Sequence, residues 1–265
     1  MHPDPRGITV EGDLRPPLPI NEPVLSYVAG SPERAELKAT LDMMASEVID
    51  IPVIVGGKDI LTGDTADVVM PHDHGHVLAR YHKAAPEHIQ AAIDTGHEAW
   101  HEWSNWPWQD RAAVLLRAAD LLAGPWRATL NASTMLGQSK TVYQAEIDAA
   151  CEIIDFWRFN VQYARELYAQ QPISSPGLWN YMDYRPLEGF IYAISPFNFT
   201  SIGGNLPTAP ALMGNVAIWK PARTSLYSSY FLMRLLQEAG LPDGVINFLP
   251  GNSAQISDLL IKSPH

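Results

Sequence analysis

Three short runs in the last third of the chain, "GFIYAIS", "NVAIWK" and "GVINFL", are apolar without alternation. Each is followed by helical patterning, at 201–213, 224–239 and 252–262. A strand that is apolar at every position must be covered on both faces, because an exposed face would show alternating polar residues. Such strands alternating with helices specify an α/β fold, a parallel sheet with helices on both sides. Ligands of these sheets bind beyond the carboxyl ends of the strands. Ser195, Lys220 and Gly251 stand at those ends, so a binding site is expected there.

Upstream, the pattern is mainly helical. "SPERAELKATLDMMASE" starts with Ser31 as N-cap and Pro32 at the first helical position. "IDIPVIVGGKDI" predicts a strand ending in a Gly-Gly turn, and "ADVVM" with "HVLARYH" a strand pair around "PHDHG". Helices are expected over 86–104, 109–123 and 125–136. The stripe of the second follows Ala113, Leu116, Ala119 or Asp120, and Ala123. Residues 140–171 predict one helix, roughly 45 Å long at 1.5 Å per residue. Its apolar face runs through Val142, Ala145, Ala149, Ile153, Phe156 and Asn160. "PISSPG" breaks it, and "LWNYMDYRPLEG" reads as an extended strand or hairpin.

Bulk properties narrow the function classes. A chain of 265 residues with 46% apolar and 18% charged residues can bury a real core. Its net charge of -11 argues against nucleic acid, whose phosphates demand a basic surface. No run approaches the roughly 20 apolar residues of a membrane helix, so no membrane partner is expected. The single cysteine, Cys151, allows no internal disulfide and points to a reducing compartment, the cytoplasm. The Pro-rich residues 1–30 lack the apolar core of a signal peptide and read as an extended arm, lying on the body or on a partner subunit.

Three constellations could carry chemistry. "HEAWH", His97 to His101, matches a zinc-protease pattern, with Glu98 as base. Its histidines flank an apolar stripe of Ile89, Ala92, Ile93, Gly96, Trp100 and Trp103, and no clear third ligand follows. "PHDHGH" reads as a solvated turn, where Asp, Gly and His serve the backbone. No metal is expected at either. The third is "SPFNFTSIGGNLPTAPALMGNVAIWKPA". Pro196 ends a strand, Asn198 presents an amide at its tip, and Lys220 ends the next strand before Pro221. A lysine there can reach a ligand's hydroxyl or phosphate oxygens. The competing reading makes Asn198 a turn cap and Lys220 a surface lysine.

That third block resembles the aldehyde dehydrogenase superfamily, in which a proline–aromatic–Asn–aromatic element ends one strand and Lys-Pro ends the next at near-identical spacing. Phe197 in place of the usual Trp, "GGNLPTAPALMGN", and "GQSKTVYQAEIDAACEIIDFWRFN" in the long helix narrow the likeness. They are similar to the branch that oxidises L-glutamate 5-semialdehyde, the open form of pyrroline-5-carboxylate, to L-glutamate with NAD⁺, the second step of proline degradation. The likeness covers nearly the whole chain from about Asn21. It implies a Rossmann-type parallel sheet with flanking helices and oligomerisation strands, of which the chain covers about the N-terminal half.

The resemblance also implies roles. A cysteine thiolate attacks the aldehyde, the thiohemiacetal carries an oxyanion, and water releases the thioester with a glutamate as base. Asn198 matches the donor to that oxyanion. Ser195, Pro196, Phe197, Lys220 and Gly251 match cofactor contacts, with Lys220 reaching the adenosine ribose. Phe199 matches an aromatic wall beside the aldehyde chain, and Glu146 is expected near the site. Arg223 stands where many relatives carry an acid that disfavours a 2′-phosphate, yet NAD remains the expected cofactor. The nucleophile, the base and the nicotinamide segment are expected beyond residue 265. Cys151, mid-helix in an apolar setting, does not substitute.

On this basis residues 1–30 form the arm, 31–177 the helical part of the cofactor-binding domain, 178–188 an oligomerisation strand, and 189–265 the first βαβαβα part of the cofactor domain. A homodimer or higher homo-oligomer acting on a small-molecule aldehyde is the expected assembly. A sheet of three parallel strands should leave an unpaired edge and make these residues unstable alone. Two other classes remain open on sequence grounds: an inactive assembly or binding module, and a zinc protein built on "HEAWH".

Overall fold

A computed structural model of the chain describes residues 15–265. The elements in order are α1 (Pro32–Ser46), β1 (Ile49–Ile51), β2 (Val53–Val55), β3 (Lys58–Ile60), β4 (Thr65–Met70) and β5 (Asp73–His82). Then come α2 (Pro86–Trp103), α3 (Trp108–Ala123), α4 (Arg127–Gln138), α5 (Val142–Ala145), a π-helical segment Glu146–Glu152, and α6 (Ile153–Ala169). The remainder is β6 (Phe190–Ile194), α7 (Thr200–Leu212), β7 (Val216–Lys220), a 3₁₀ turn Arg223–Ser225, α8 (Leu226–Glu238), β8 (Ile246–Phe248) and α9 (Ser253–Ile261). Of the expected arm, residues 1–14 lie outside the described residues.

The α/β alternation from residue 189 folds as its pattern requires. β6 pairs parallel with β7, Phe190 opposite Val216, and β7 pairs parallel with β8, Ala217 opposite Ile246. Every residue of β7 is buried, which is why its run shows no alternation. Close packing supports it: a Cβ on Gly204 of α7 would lie 2.2 Å from Leu232 Cδ2 of α8, so the two helices meet almost backbone to side chain. Trp157 of α6 is fully buried, and its indole N–H donates to Thr208 of α7 at 3.0 Å. Truncating a side chain of that size to alanine costs about 3–5 kcal/mol.

Several expectations change. The sheet does not end at three parallel strands. β2 pairs antiparallel with β8, Ile54 opposite Phe248, and the order is β3-β2-β8-β7-β6, so the edges are β3 and β6. Residues 31–177 contain the strands expected in "IDIPVIVGGKDI", "ADVVM" and "HVLARYH". Their strands β2 and β3 complete that sheet, and β1, β5 and β4 form a second one. "IDIPVIV" is divided between the two sheets at Pro52, which has no N–H for a ladder.

The "PHDHG" turn shrinks to Pro71 and His72. Met70 pairs with Asp73, and the register shift beside Val69 absorbs the rest. On α3 the buried face is Ala112, Val114, Leu115, Ala118, Ala119 and Leu122, one position off the expected stripe.

The long helix is also not one α-helix. The π-helical segment, with wider turns, rotates the buried face, so it continues through Ile154, Trp157, Val161 and Ala164 rather than Phe156 and Asn160. Residues 178–188 form no named strand; Ser175 and Leu178 make an isolated antiparallel bridge.

Candidate active site

Lys220, the last residue of β7, is 5% exposed. No described carboxylate lies within ion-pair reach of its ammonium group, and burial pushes its pKa down. It opens onto a cleft of about 470 Å³ lined by Tyr81, Lys83, Ala222, Arg223, Gly251, Asn252 and Ser253. Gly251 follows β8 with φ +153°, and a Cβ there would meet Ala84 N at 3.1 Å. The adjoining Pro250 carbonyl accepts from Ala84 N–H at 2.8 Å, so β8's end is tied to the start of α2. The cleft therefore places a desolvated cation, an exposed Arg223 and the N-terminus of α9 together at the carboxyl ends of β7 and β8. That set can hold hydroxyl or phosphate oxygens.

The strand end of β6 is built differently. Ser195 is buried, its Oγ accepting from the Trp219 indole N–H at 3.0 Å and its backbone N–H donating to Lys220 O at 3.2 Å. The Pro196 carbonyl accepts from Ser225 Oγ at 3.3 Å. Asn198 and Phe199 line a groove of about 380 Å³ with Lys140, Tyr143, Gln144, Ile147, Asp148 and Glu152. Phe197 is 66% exposed. The Lys140 ammonium lies 4.5 Å from the Phe199 ring centroid.

Glu146 does not reach this site. It is fully buried on the opposite side of the π-helical segment, where Arg127, Asn131, Leu25 N–H and Tyr27 Oη surround its carboxylate. Cys151 lies beside the same carboxylate, with Sγ 3.6 Å from Oε1. Its setting is polar rather than apolar, and burial, then Glu146, push the thiol's pKa up to about 12, which disfavours the thiolate.

The "HEAWH" histidines are neighbours, ring centroids 4.9 Å apart, on the exposed side of the expected stripe. Among the described residues no group of three His, Cys, Asp or Glu is arranged to hold a metal.

The geometry of two strand ends, Lys220 with Gly251 and the Asn198 loop, can be set beside known proteins. The aldehyde dehydrogenase family model matches residues 61–265. The chain belongs to the aldehyde dehydrogenase family. It is 52% identical over 247 residues to the delta-1-pyrroline-5-carboxylate dehydrogenase of Agaricus bisporus, covering 92% of this chain and 45% of that protein. The mitochondrial delta-1-pyrroline-5-carboxylate dehydrogenase of Homo sapiens is 50% identical over 245 residues, with 92% and 44% covered. The crystal structure of the Mycobacterium tuberculosis delta-pyrroline-5-carboxylate dehydrogenase bound with NAD superposes with a TM-score of 0.94 at 53% identity, covering 96% of this chain and 48% of that one. The chain spans about 45% of the length of the curated relatives it matches.

Within an aldehyde dehydrogenase framework the structure adds residues that sequence reasoning missed. Tyr81 joins the Lys220 cleft from β5, which no local pattern shows, and Asn252 and Ser253 join it directly after Gly251. Asp148 and Lys140 line the Asn198 groove. Position 148 lies off the expected apolar face, so no local pattern marks Asp148 as buried.

Proposed function

We propose that this chain supplies the cofactor cleft and the oxyanion donor of an NAD-dependent dehydrogenase that oxidises L-glutamate 5-semialdehyde to L-glutamate, the second step of proline degradation. The likeness to proteins named for pyrroline-5-carboxylate, over nine-tenths of the chain, supports the substrate. One observation carries the cofactor reading: a buried Lys220 at the carboxyl end of β7, without an ion-pair partner among the described residues, facing a cleft with Gly251. Burying a cation without a partner is unfavourable, and ligand hydroxyls would relieve it. These residues fit the adenosine ribose of NAD.

NAD, when bound, supplies the oxidant for the reaction. Lys220 donates to ribose hydroxyls, Gly251 lets the backbone approach, and Ser195, Pro196 and Phe197 shape the end of β6 beside the cofactor. The Asn198 amide N–H donates to the aldehyde oxygen as it gains charge; an aspartate there would repel it. Phe199 packs beside the aldehyde chain. Cys151, buried with a raised pKa, is not the nucleophile. We place that thiolate and the general-base glutamate outside residues 1–265, so these residues alone are inactive.

The divisions at residues 30, 177 and 188 stand as proposed boundaries, with 178–188 as a contact in a homodimer or larger homo-oligomer. Trp179 at 83% and Tyr181 at 66% exposure support that role, since aromatic rings left in water favour a covering surface. A reducing compartment, the cytoplasm, fits a sole buried thiol.

The test combines an NAD⁺ titration followed by tryptophan fluorescence with an assay of pyrroline-5-carboxylate-dependent NADH formation. Saturable NAD⁺ binding and turnover in the enzyme containing this chain are expected. Binding of neither dinucleotide would sink the reading, and a clear preference for NADP⁺, which Arg223 could favour, would sink the cofactor assignment. Binding without turnover would favour an inactive module.

A further inference from the structure

The π-helical segment Glu146–Glu152 turns its acids to opposite sides. Glu146 faces the N-terminal segment, and Asp148 faces the start of α7. The Asp148 side chain is 5% exposed and fully engaged. Its Oδ1 accepts from Ser201 N–H at 3.2 Å and lies 2.9 Å from Ser201 Oγ; its Oδ2 accepts from Thr200 N–H at 3.4 Å and pairs with Lys140. Those two N–H groups open α7, where no carbonyl of the helix itself can reach them. The residue at the N-cap, Phe199, has no side-chain oxygen to offer. Asp148 thus supplies from a distant helix the cap that the local sequence lacks. Its partner Lys140 covers the Phe199 ring from the same side.

Asn198 sits directly before these anchored residues. It is exposed, and its side chain is hydrogen-bonded to no described residue. Nothing but its backbone therefore fixes where the amide is presented, and the backbone on its carboxyl side is held by Asp148 and Lys140. We infer that Asp148, with Lys140, is a positioning residue for Asn198, aiming the oxyanion donor without touching substrate or cofactor. The inference rests on the role proposed above for Asn198. Asparagine at 148 keeps one acceptor for Ser201 but loses the charge that holds Lys140; alanine loses both.

Two measurements test it. In the active enzyme, Asp148→Ala should lower kcat by about tenfold to a hundredfold, the effect of small misplacement of a catalytic group. KM for NAD⁺ should stay unchanged, and Asp148→Asn should restore part of the loss. In an Asn198→Ala background the same change should have almost no further effect on kcat. Full additivity, or no kcat loss in Asp148→Ala, overturns the inference.

In the same enzyme, amide exchange of Thr200 and Ser201 should quicken by at least about tenfold in Asp148→Ala. Unchanged exchange overturns the inference whatever the activity shows, and no kcat loss in Asn198→Ala alone overturns the Asn198 reading. Should Asp148→Ala fail to melt cooperatively, Ser201→Ala and Lys140→Met carry the same comparison. Failure of all three assigns the carboxylate to the fold and overturns the positioning role.

Discussion

Arg127 grips Glu146 through two nitrogens, Nε and Nη2, in an ion pair whose carboxylate is wholly buried. The same carboxylate accepts from Leu25 N–H at 2.7 Å and Tyr27 Oη at 2.8 Å, while Arg127 also reaches Glu22 and the Pro23 carbonyl. The pair therefore fastens residues 22–27 across α4 and the π-helical segment. Removing one partner leaves a buried charge uncompensated, which costs about 3–5 kcal/mol. Glu146→Ala should lose that much stability in chemical denaturation, and Tyr27→Phe only about 1 kcal/mol. A Glu146→Ala loss below that of Tyr27→Phe would show that the pair does not hold the segment.

The pH dependence of stability carries a second signature of this pair. Burial opposes the charge on Glu146, but Arg127, Leu25 N–H and Asn131 together outweigh it and hold the carboxyl below its ordinary range. A carboxyl depressed in the folded state stabilises the fold above its unfolded pKa, about 4.3–4.5. That stabilisation is lost as pH falls through the folded value. Stability should drop on acidification below that window, and Glu146→Gln should flatten the drop by up to one proton. An identical slope in the variant would assign the acid sensitivity elsewhere.

How much of this was legible in the sequence follows from the range of the forces involved. The unbroken apolar runs give β7 and β8 because burial on two faces leaves a local trace, and β6, an edge strand with Ile194 half exposed, is only partly covered within this chain. Ser31 and Pro32 mark the start of α1 for the same reason, the cap being three residues from its partner. The β2–β8 pairing joins Ile54 to Phe248, and nothing near either residue announces it. The π-helical segment is hidden for another reason. Its wider turn leaves no mark in the residue pattern, so a single 3.6-residue stripe drifts off the true face beyond Ile153. Lys220 and Gly251 could be placed at strand ends, whereas the exposure of Phe197 depends on what surrounds it in three dimensions.

Asn198 gives a kinetic prediction. If its amide donates to the developing oxyanion, Asn198→Ala should lower kcat by about a hundredfold to a thousandfold with little change in NAD⁺ affinity. Asn198→Asp should be at least as damaging, because the new charge opposes the oxyanion. Steady-state kinetics with pyrroline-5-carboxylate decide it; a variant that changed only KM would make Asn198 a binding residue.

Cys151 gives a chemical one. A thiol pushed up to about 12 holds almost no thiolate near neutral pH. Its alkylation in the native protein at mildly alkaline pH should be on the order of a thousandfold slower than that of free cysteine, and should accelerate with unfolding. Rapid, stoichiometric labelling of the native chain would contradict both the raised pKa and the exclusion of Cys151 as nucleophile.

Lys220 sets binding against stability. Its burial lowers the pKa and no described acid offsets it, so the folded protein carries an unfavourable charge at neutral pH. A base depressed in the folded state binds its proton more readily when unfolded, and its contribution to stability improves as pH rises through the folded value. Lys220→Met keeps the chain length and removes the charge. It should raise Tm, by about 2–4 °C for each 1 kcal/mol recovered in a domain of this size. On the role proposed for Lys220, the same change should weaken NAD⁺ binding about tenfold or more, by removing a charge-assisted hydrogen bond to the ribose. NAD⁺ should stabilise the parent against heat more than the variant. Lower Tm with unchanged NAD⁺ affinity would mean that Lys220 serves the fold, and the cleft at the ends of β7 and β8 would lose its claim on the cofactor.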